Sequence, residues 1–272
     1  MTAVAAAEAG PHPWRRFGPD VLTMTARVLR LVRRDPDELV LALVLPTAMM
    51  LLFVYVFGGA IEVGTDYLAY ATPGVLLLCA GFGAANAAMA VNSDVSGEIM
   101  DRFRAMPVAS ATVLVGHVLA SMAKNLVTTA VVLGVAMAIG FRTVAGPLGW
   151  LAAVGVVAVY VFAITGVAVL VGVLVRTPAA AGGFGFVMLF LPYVSSAFVP
   201  PETMPSWLRG FAEVQPVTPV IETVRGLLVG MGSDGMPVTG LAGTATVTLG
   251  WWLGVALVAL SAASWAFARR GR

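Results

Sequence analysis

Charged side chains are scarce in this chain, and one group of them lies in a stretch between two long apolar runs, Asn92 to Thr112 (NSDVSGEIMDRFRAMPVASAT). Asp94, Glu98, Asp101, Arg102 and Arg104 fall there, with Glu98 four residues before Arg102, the favourable order for an ion pair along a helix. Such a group suits charge-mediated contact rather than bond-making. No catalytic constellation accompanies it. The single lysine, Lys124, follows Ala123, so no phosphate-binding Gly-x-x-x-x-Gly-Lys-Ser/Thr loop exists, and neither His-Glu-x-x-His nor Gly-x-Ser-x-Gly occurs. Cys79 is alone, which excludes an internal disulfide, and His12 and His117 are too far apart in sequence to suggest a shared metal. Gly230, Gly232 and Gly235 spell Gly-x-Gly-x-x-Gly, but without the strand and helix that a nucleotide site needs, so the spacing predicts a turn.

The charged stretch predicts a helix over 93–106. Val95, Ile99, Phe103 and Met106 recur at helical spacing as one apolar stripe, and Ser93 or Asp94 can cap its start. Pro107 ends it, having no N–H and disfavouring helix at Met106. An amphipathic rod of this length is either a solvated loop helix or a lever lying across a membrane surface and pressing on a partner. The segments on either side of it favour the lever.

Of the 272 residues, 59 % are hydrophobic and 11 % charged, with a mean hydropathy of +0.93; soluble domains carry about 25 % charged residues. The chain is therefore an all-α polytopic membrane protein. Charge-free runs predict spans at about 39–61, 67–92, 148–175, 178–200 and 243–267, and a sixth at 110–140 is interrupted only by Lys124. Each exceeds the roughly 20 residues needed to cross a hydrocarbon core. Pro46, Pro73 and Pro192 inside them predict kinks. Together they make a six-span domain over 38–268, ending in a short tail at 269–272.

Residues 1–18 read as disordered and lack the basic start and apolar core of a signal peptide. From 19 to 37 an amphipathic helix is expected, with Val21, Met24, Val28, Leu31 and Val32 on one side and Arg27, Arg30, Arg33 and Arg34 on the other. It suits the bilayer interface, arginines towards anionic lipid, or the surface of a soluble partner. Twelve Lys/Arg lie before the first span, in the 93–112 insert, at Arg176 and at the C-terminus, against three (Arg142, Arg209, Arg225) in the opposite loops. The positive-inside rule then puts both termini and the 93–106 helix in the cytoplasm. Two short helices are expected outside, within 205–230, cut by Pro205, Pro216 and Pro219 and dipping into the outer interface. Lys124 reads either as an anchor whose stem reaches the interface or, with Asn125, as a group facing substrate or a second subunit. Ala80, Ala84 and Ala88, Gly81 and Ala85, and Gly250 and Gly254 recur every fourth position and allow close helix approach, within one chain or between two. The abundance of arginine, alanine, valine and glycine hints at a GC-rich genome.

No carboxylate lies inside a span, as an ion-coupled transporter would ordinarily require, so the energy for uphill movement has to come from another subunit. RLVRRDPDELVLALVLP, YLAYATPGVLLL and NSDVSGEIMDRFRAMPVASATVLVGHVLA, with the later MPSWLRGFAEVQPVTPVIETVRGLL, resemble the membrane permeases of type 2 ABC exporters, most nearly the daunorubicin-resistance type. The family pattern falls on Asp94, Gly97, Asp101, Arg102, Arg104, Pro107 and Gly116; His117 stands where an arginine is frequent.

The resemblance implies a bacterial inner-membrane permease without enzymatic activity of its own. Its partners would be two copies of an ABC ATPase, which bind ATP and Mg, and a second permease chain, identical or homologous. The 93–106 segment would be the coupling helix, with Asp94, Gly97, Glu98, Ile99, Arg102, Phe103, Arg104 and Pro107 as its coupling residues. A hydrophobic substrate, such as an amphiphilic drug, polyketide or lipid, would leave the cytoplasm or the inner leaflet between two chains. Asn86, Lys124 and Asn125 are the candidates for that path. Membrane lipid is the remaining partner, and nucleic acid is not one. The alternative is a self-contained secondary transporter or channel, which would work without an ATPase.

Overall fold

The computed structural model describes residues 17–34, 36–97, 110–238 and 240–270, and among these it is helical, with one isolated bridge between Met231 and Pro237. In chain order the α-helices are α1 (Phe17–Arg33), α2 (Pro36–Leu51), α3 (Tyr67–Ser96), α4 (Ser110–Ala138), α5 (Pro147–Leu174), α6 (Pro178–Phe190), α7 (Ser206–Val214), α8 (Val217–Val229) and α9 (Leu241–Arg270). Five are long and apolar enough to cross a bilayer: α2 with its π-helical continuation Leu52–Phe57, α3, α4, α5 and α9.

The bundle is organised around α3. In the most apolar window of α3, 72 % of the residues are buried, against 17 % in α2 and 22 % in α9, so α3 is the axis and the other two are the rim. Its wall of small residues is what lets neighbours close in. A Cβ on Gly185 would stand 2.3 Å from that of Ala85, and one on Gly81 would stand 3.2 Å from the carbonyl oxygen of Met188. At Gly172 of α5, a Cβ would meet the Ala88 carbonyl oxygen at 2.5 Å. The small-residue repeat on α3 is thus consumed inside the chain, whereas Gly250 and Gly254 on α9 have nothing within 4 Å of an added Cβ. Asn92, fully buried, donates to the carbonyls of Gly172 and Val175 at 3.0 and 2.8 Å and so satisfies the C-terminal turn of α5.

The segment expected as a span at 178–200 takes a shorter form. α6 has 13 residues and passes into a four-residue 3-10 turn, Leu191–Val194, because Pro192 has no N–H to continue the ladder. Ser195 then turns the chain, its hydroxyl accepting from the Ala197 N–H at 3.1 Å. An aromatic group, Phe53, Tyr193 and Phe198, packs the end of α2 onto this turn, with ring centroids 4.2 Å apart for Phe53 and Phe198 and 5.2 Å for Tyr193 and Phe198.

The paired helices expected along the outer interface behave differently from each other. On α7, Trp207 and Phe211 are exposed. There Arg209 donates to Glu213 at 2.6 Å, and this hydrogen bond and its charge raise the guanidinium pKa above its ordinary value. α8 instead enters the bundle: Val217, Val220, Ile221 and Val224 are fully buried. Gly230, in the left-handed region at φ 79°, closes α8 by donating its N–H to the Gly226 carbonyl, and Gly232 and Gly235 after it complete the expected turn.

Candidate functional site

The two ends of α3 each carry a charged assembly. At its start, Arg225 of α8 is completely buried. Its guanidinium donates to the Tyr70 carbonyl at 3.2 Å, to Glu222 at 2.6 Å and to the Ser196 carbonyl, and it lies 3.9 Å over the Tyr70 ring. Glu222 in turn accepts from the Ser233 N–H at 3.1 Å. A buried cation is tolerable only when its donors are used in this way. Arg225 therefore locks α8, α3 and the 195–197 turn into one unit. Sequence reasoning placed it as a single charge on a surface helix, because apart from Glu222 its partners are backbone groups 155 and 29 residues away.

At the other end of α3 lies the assembly that bears on function. The helix continues unbroken through Ser96, so neither Ser93 nor Asp94 caps a new helix at 93, as the sequence suggested. The Asp94 carboxylate is taken up elsewhere. Arg27 of α1 grips it with two N–H groups at 2.9 and 3.4 Å, and His117 Nε2 of α4 lies 3.0 Å from its Oδ2. The His117 side chain is 4 % exposed and that of Asp94 15 %. Arg27 accordingly turns into the bundle rather than out with Arg30 and Arg34, which are exposed.

The sequence folds this way because α1 can reach α4. Val21 and Val28 bury the apolar side of α1, and Gly116 lets it approach: a Cβ there would sit 2.6 Å from that of Met24. The helix thus packs on its own chain. Leu31, expected on the buried side, is 52 % exposed. Val91, Leu114 and Phe267 of α3, α4 and α9 pack beneath the cluster, so both ends of the described chain meet here.

Of the residues expected to couple to a partner, the structure describes Asp94 and Gly97, the latter closing α3 in extended backbone. Glu98, Ile99, Arg102, Phe103, Arg104 and Pro107 lie outside the described residues. The Arg27–Asp94–His117 cluster joins the helix that enters that segment to the helix that leaves it. His117, set down in sequence only as a departure from a pattern, is a member of the cluster; its spacing of 23 residues from Asp94 carries no local signal.

The three path candidates separate. Lys124 is 8 % exposed, and its ammonium pairs with the Glu38 carboxylate in the first turn of α2. Asn125 is 1 % exposed and packs on Gly83, where any side chain would collide with its amide. Asn86, one turn further along α3, is half-buried. The structure brings Lys124 and Asn125 into the protein interior and leaves Asn86 partly open.

Residues 19–229 match the family model described as ABC-2 type transporter. The daunorubicin resistance ABC transporter permease protein DrrB1 of Streptomyces coeruleorubidus is 28 % identical over 225 residues, covering 82 % of this chain and 80 % of the relative. A probable doxorubicin resistance ABC transporter permease protein DrrC of Mycobacterium tuberculosis is 29 % identical over 218 residues, 79 % of each chain. A family model spanning most of the sequence, on an all-helical bundle with five spanning helices, decides the matter: the chain belongs to the ABC-2 type transporter family, as a membrane permease subunit.

Proposed function

We propose that this permease exports an amphiphilic drug, polyketide or lipid using ATP hydrolysed by a separate ABC ATPase present in two copies, and that it pairs with a second permease chain, identical or homologous. Relatives named for resistance to daunorubicin and doxorubicin support a drug as cargo. ATP and Mg belong to the ATPase, since this chain has no phosphate-binding loop.

The reading includes six crossings, with 178–197 as the short one. Its support is the way that segment keeps pace with α3: Gly182 lies against Met89, Gly185 against Ala85, Met188 against Gly81 and Ala197 against Gly74. Six crossings put both termini on one side, and the excess of arginine at the α1 end assigns that side to the cytoplasm of a bacterial cell membrane.

The observation that carries the mechanism is the Arg27–Asp94–His117 cluster. It clamps the two helices that flank 98–109 to each other and to α1, so a push on that segment is delivered to α3, the axis of the bundle. Glu98, Arg102 and Arg104 would meet polar groups of the ATPase, while Ile99 and Phe103 fill an apolar groove. The test is Glu98→Ala combined with Arg102→Ala, reading ATP hydrolysis by the ATPase with and without the permease. Loss of permease-dependent stimulation, with assembly intact, supports the reading; unchanged stimulation and unchanged export remove it.

A further inference from the structure

Arg30 and Arg34 stand four residues apart on the outward side of α1, and both are exposed. Unlike Arg27, which is spent on Asp94, neither meets a carboxylate among the described residues. Arg30 gives only its Nε–H to its own helix, at the Ala26 carbonyl 3.1 Å away. Asp37, exposed at the start of α2, pairs with neither arginine, and Glu38 is held by Lys124. Two guanidinium groups on one flank are a ready receptor for an anion with several oxygens.

Two further observations say which anion. The first is depth. Arg34 stands two residues before Pro36, which opens the spanning helix α2, so its Cα is at most about 7 Å from the start of a crossing. The headgroup layer on each side of the hydrocarbon core is about 5–7 Å thick. Arg34 therefore sits at the height of lipid phosphates, with Arg30 one turn behind it. The second is the apolar surface that goes with them. α1 has spent Val21 and Val28 on α4, yet Leu31, between the two arginines, is open, and Val40, Leu41 and Val44 are exposed in the next turns of α2. Val40 begins only about 6 Å along the helix from Pro36. A soluble partner can reach the arginines but cannot follow α2 into the hydrocarbon. A second copy meeting this surface through its own α1 would set arginine against arginine. An anionic phospholipid fits both parts, its phosphate on the guanidinium pair and its acyl chain along Leu31 and α2.

We infer that Arg30, Arg34 and Leu31, with the first turns of α2, form a binding site for one anionic phospholipid of the leaflet that α1 borders. The arginines select the charged headgroup, and the exposed leucines and valines keep the ligand a lipid rather than a free anion. The site is separate from the Arg27–Asp94–His117 cluster, and it depends on neither the ATPase nor the cargo.

The test is native mass spectrometry of the full-length chain in detergent, with phosphatidylglycerol and phosphatidylcholine of matched acyl chains supplied in equal amounts. Preferential retention of one phosphatidylglycerol per chain is expected. Arg30→Gln combined with Arg34→Gln weakens that binding about thirtyfold, the worth of two basic groups at a charged membrane surface, and leaves phosphatidylcholine binding unchanged. In nanodiscs of phosphatidylcholine alone the same substitutions leave hydrogen exchange of α1 as it was, which shows the helix intact. Arg176→Gln, at an exposed position at the same end of the bundle, has no effect on lipid retention. An equal loss with Arg176→Gln would mean diffuse attraction to a basic surface and overturns the inference. Displacement of the lipid by inorganic phosphate at equal concentration overturns it too, because the ligand is then a free anion. So does full phosphatidylglycerol retention by the double variant, whether or not an ATPase then fails to co-purify.

Discussion

Replacing Asp94 by asparagine tests how α1 is held. The side chain keeps its size and loses its charge, so Arg27 and His117 are left facing a neutral amide. Hydrogen bonds to a charged group contribute about 1.5–3 kcal/mol each. The Arg27 side chain is 27 % exposed, which cuts its contact with Asp94 to about 1 kcal/mol. The His117 contact, with that side chain 4 % exposed, keeps about 1.5 kcal/mol. Allowing for the weaker hydrogen bonds that asparagine retains, the net loss is about 2 kcal/mol, and local opening of α1 becomes roughly 30 times more frequent. Amide hydrogen exchange in nanodiscs reads this directly. Exchange across Val21–Arg30 accelerates by that factor, while the middle of α5 does not change. Arg34→Gln, at an exposed position outside the cluster, serves as the control. If α1 exchanges at the native rate in Asp94→Asn, the cluster does not hold the helix, and the route from the 98–109 segment through it fails.

Arg225→Leu removes a fully buried cation and strands the Glu222 carboxylate and two carbonyls. The cost of about 3–5 kcal/mol appears as a fall of about 10 °C in the tryptophan-fluorescence melting point in detergent. Gly185→Leu forces α6 off α3, because its Cβ already falls 2.3 Å from that of Ala85; Gly250→Leu meets nothing within 4 Å and leaves yield and melting point unchanged. Lys124→Met alone leaves Glu38 without its buried cation and lowers the melting point, and adding Glu38→Gln restores most of the loss. A double variant no more stable than Lys124→Met would show that the pair is not coupled.

How much of this was legible beforehand depends on whether the determinant is local. Hydropathy runs located the long helices, because an apolar span reports itself residue by residue. The four-residue spacing of small side chains on α3 flagged close packing, though not that α6 would be the neighbour. The 178–200 run was free of charge yet yielded only a short helix, since Pro192 and the serines after it interrupt the ladder. Charged residues were read by their nearest neighbours in sequence, and this failed wherever the partner was distant. Asp94 looked like a helix cap but belongs to Arg27, 67 residues away. Lys124 was read as an anchor or as a group facing substrate or a second subunit, and its ion-pair partner, Glu38, lies 86 residues away. Arg225 looked interfacial and is instead the pin of the α8 end, held by Glu222 on its own helix and by two backbone oxygens that no side-chain pattern reveals. Burial of α8 follows the same rule, because a short helix with two charges can enter a bundle only if both are satisfied there.

The most direct measurement is cargo accumulation in sealed vesicles containing the purified permease, with and without its ABC ATPase and ATP. Uptake against a gradient is expected only when both the ATPase and hydrolysable ATP are present. Accumulation by the permease alone, driven by a proton or sodium gradient, would contradict the account.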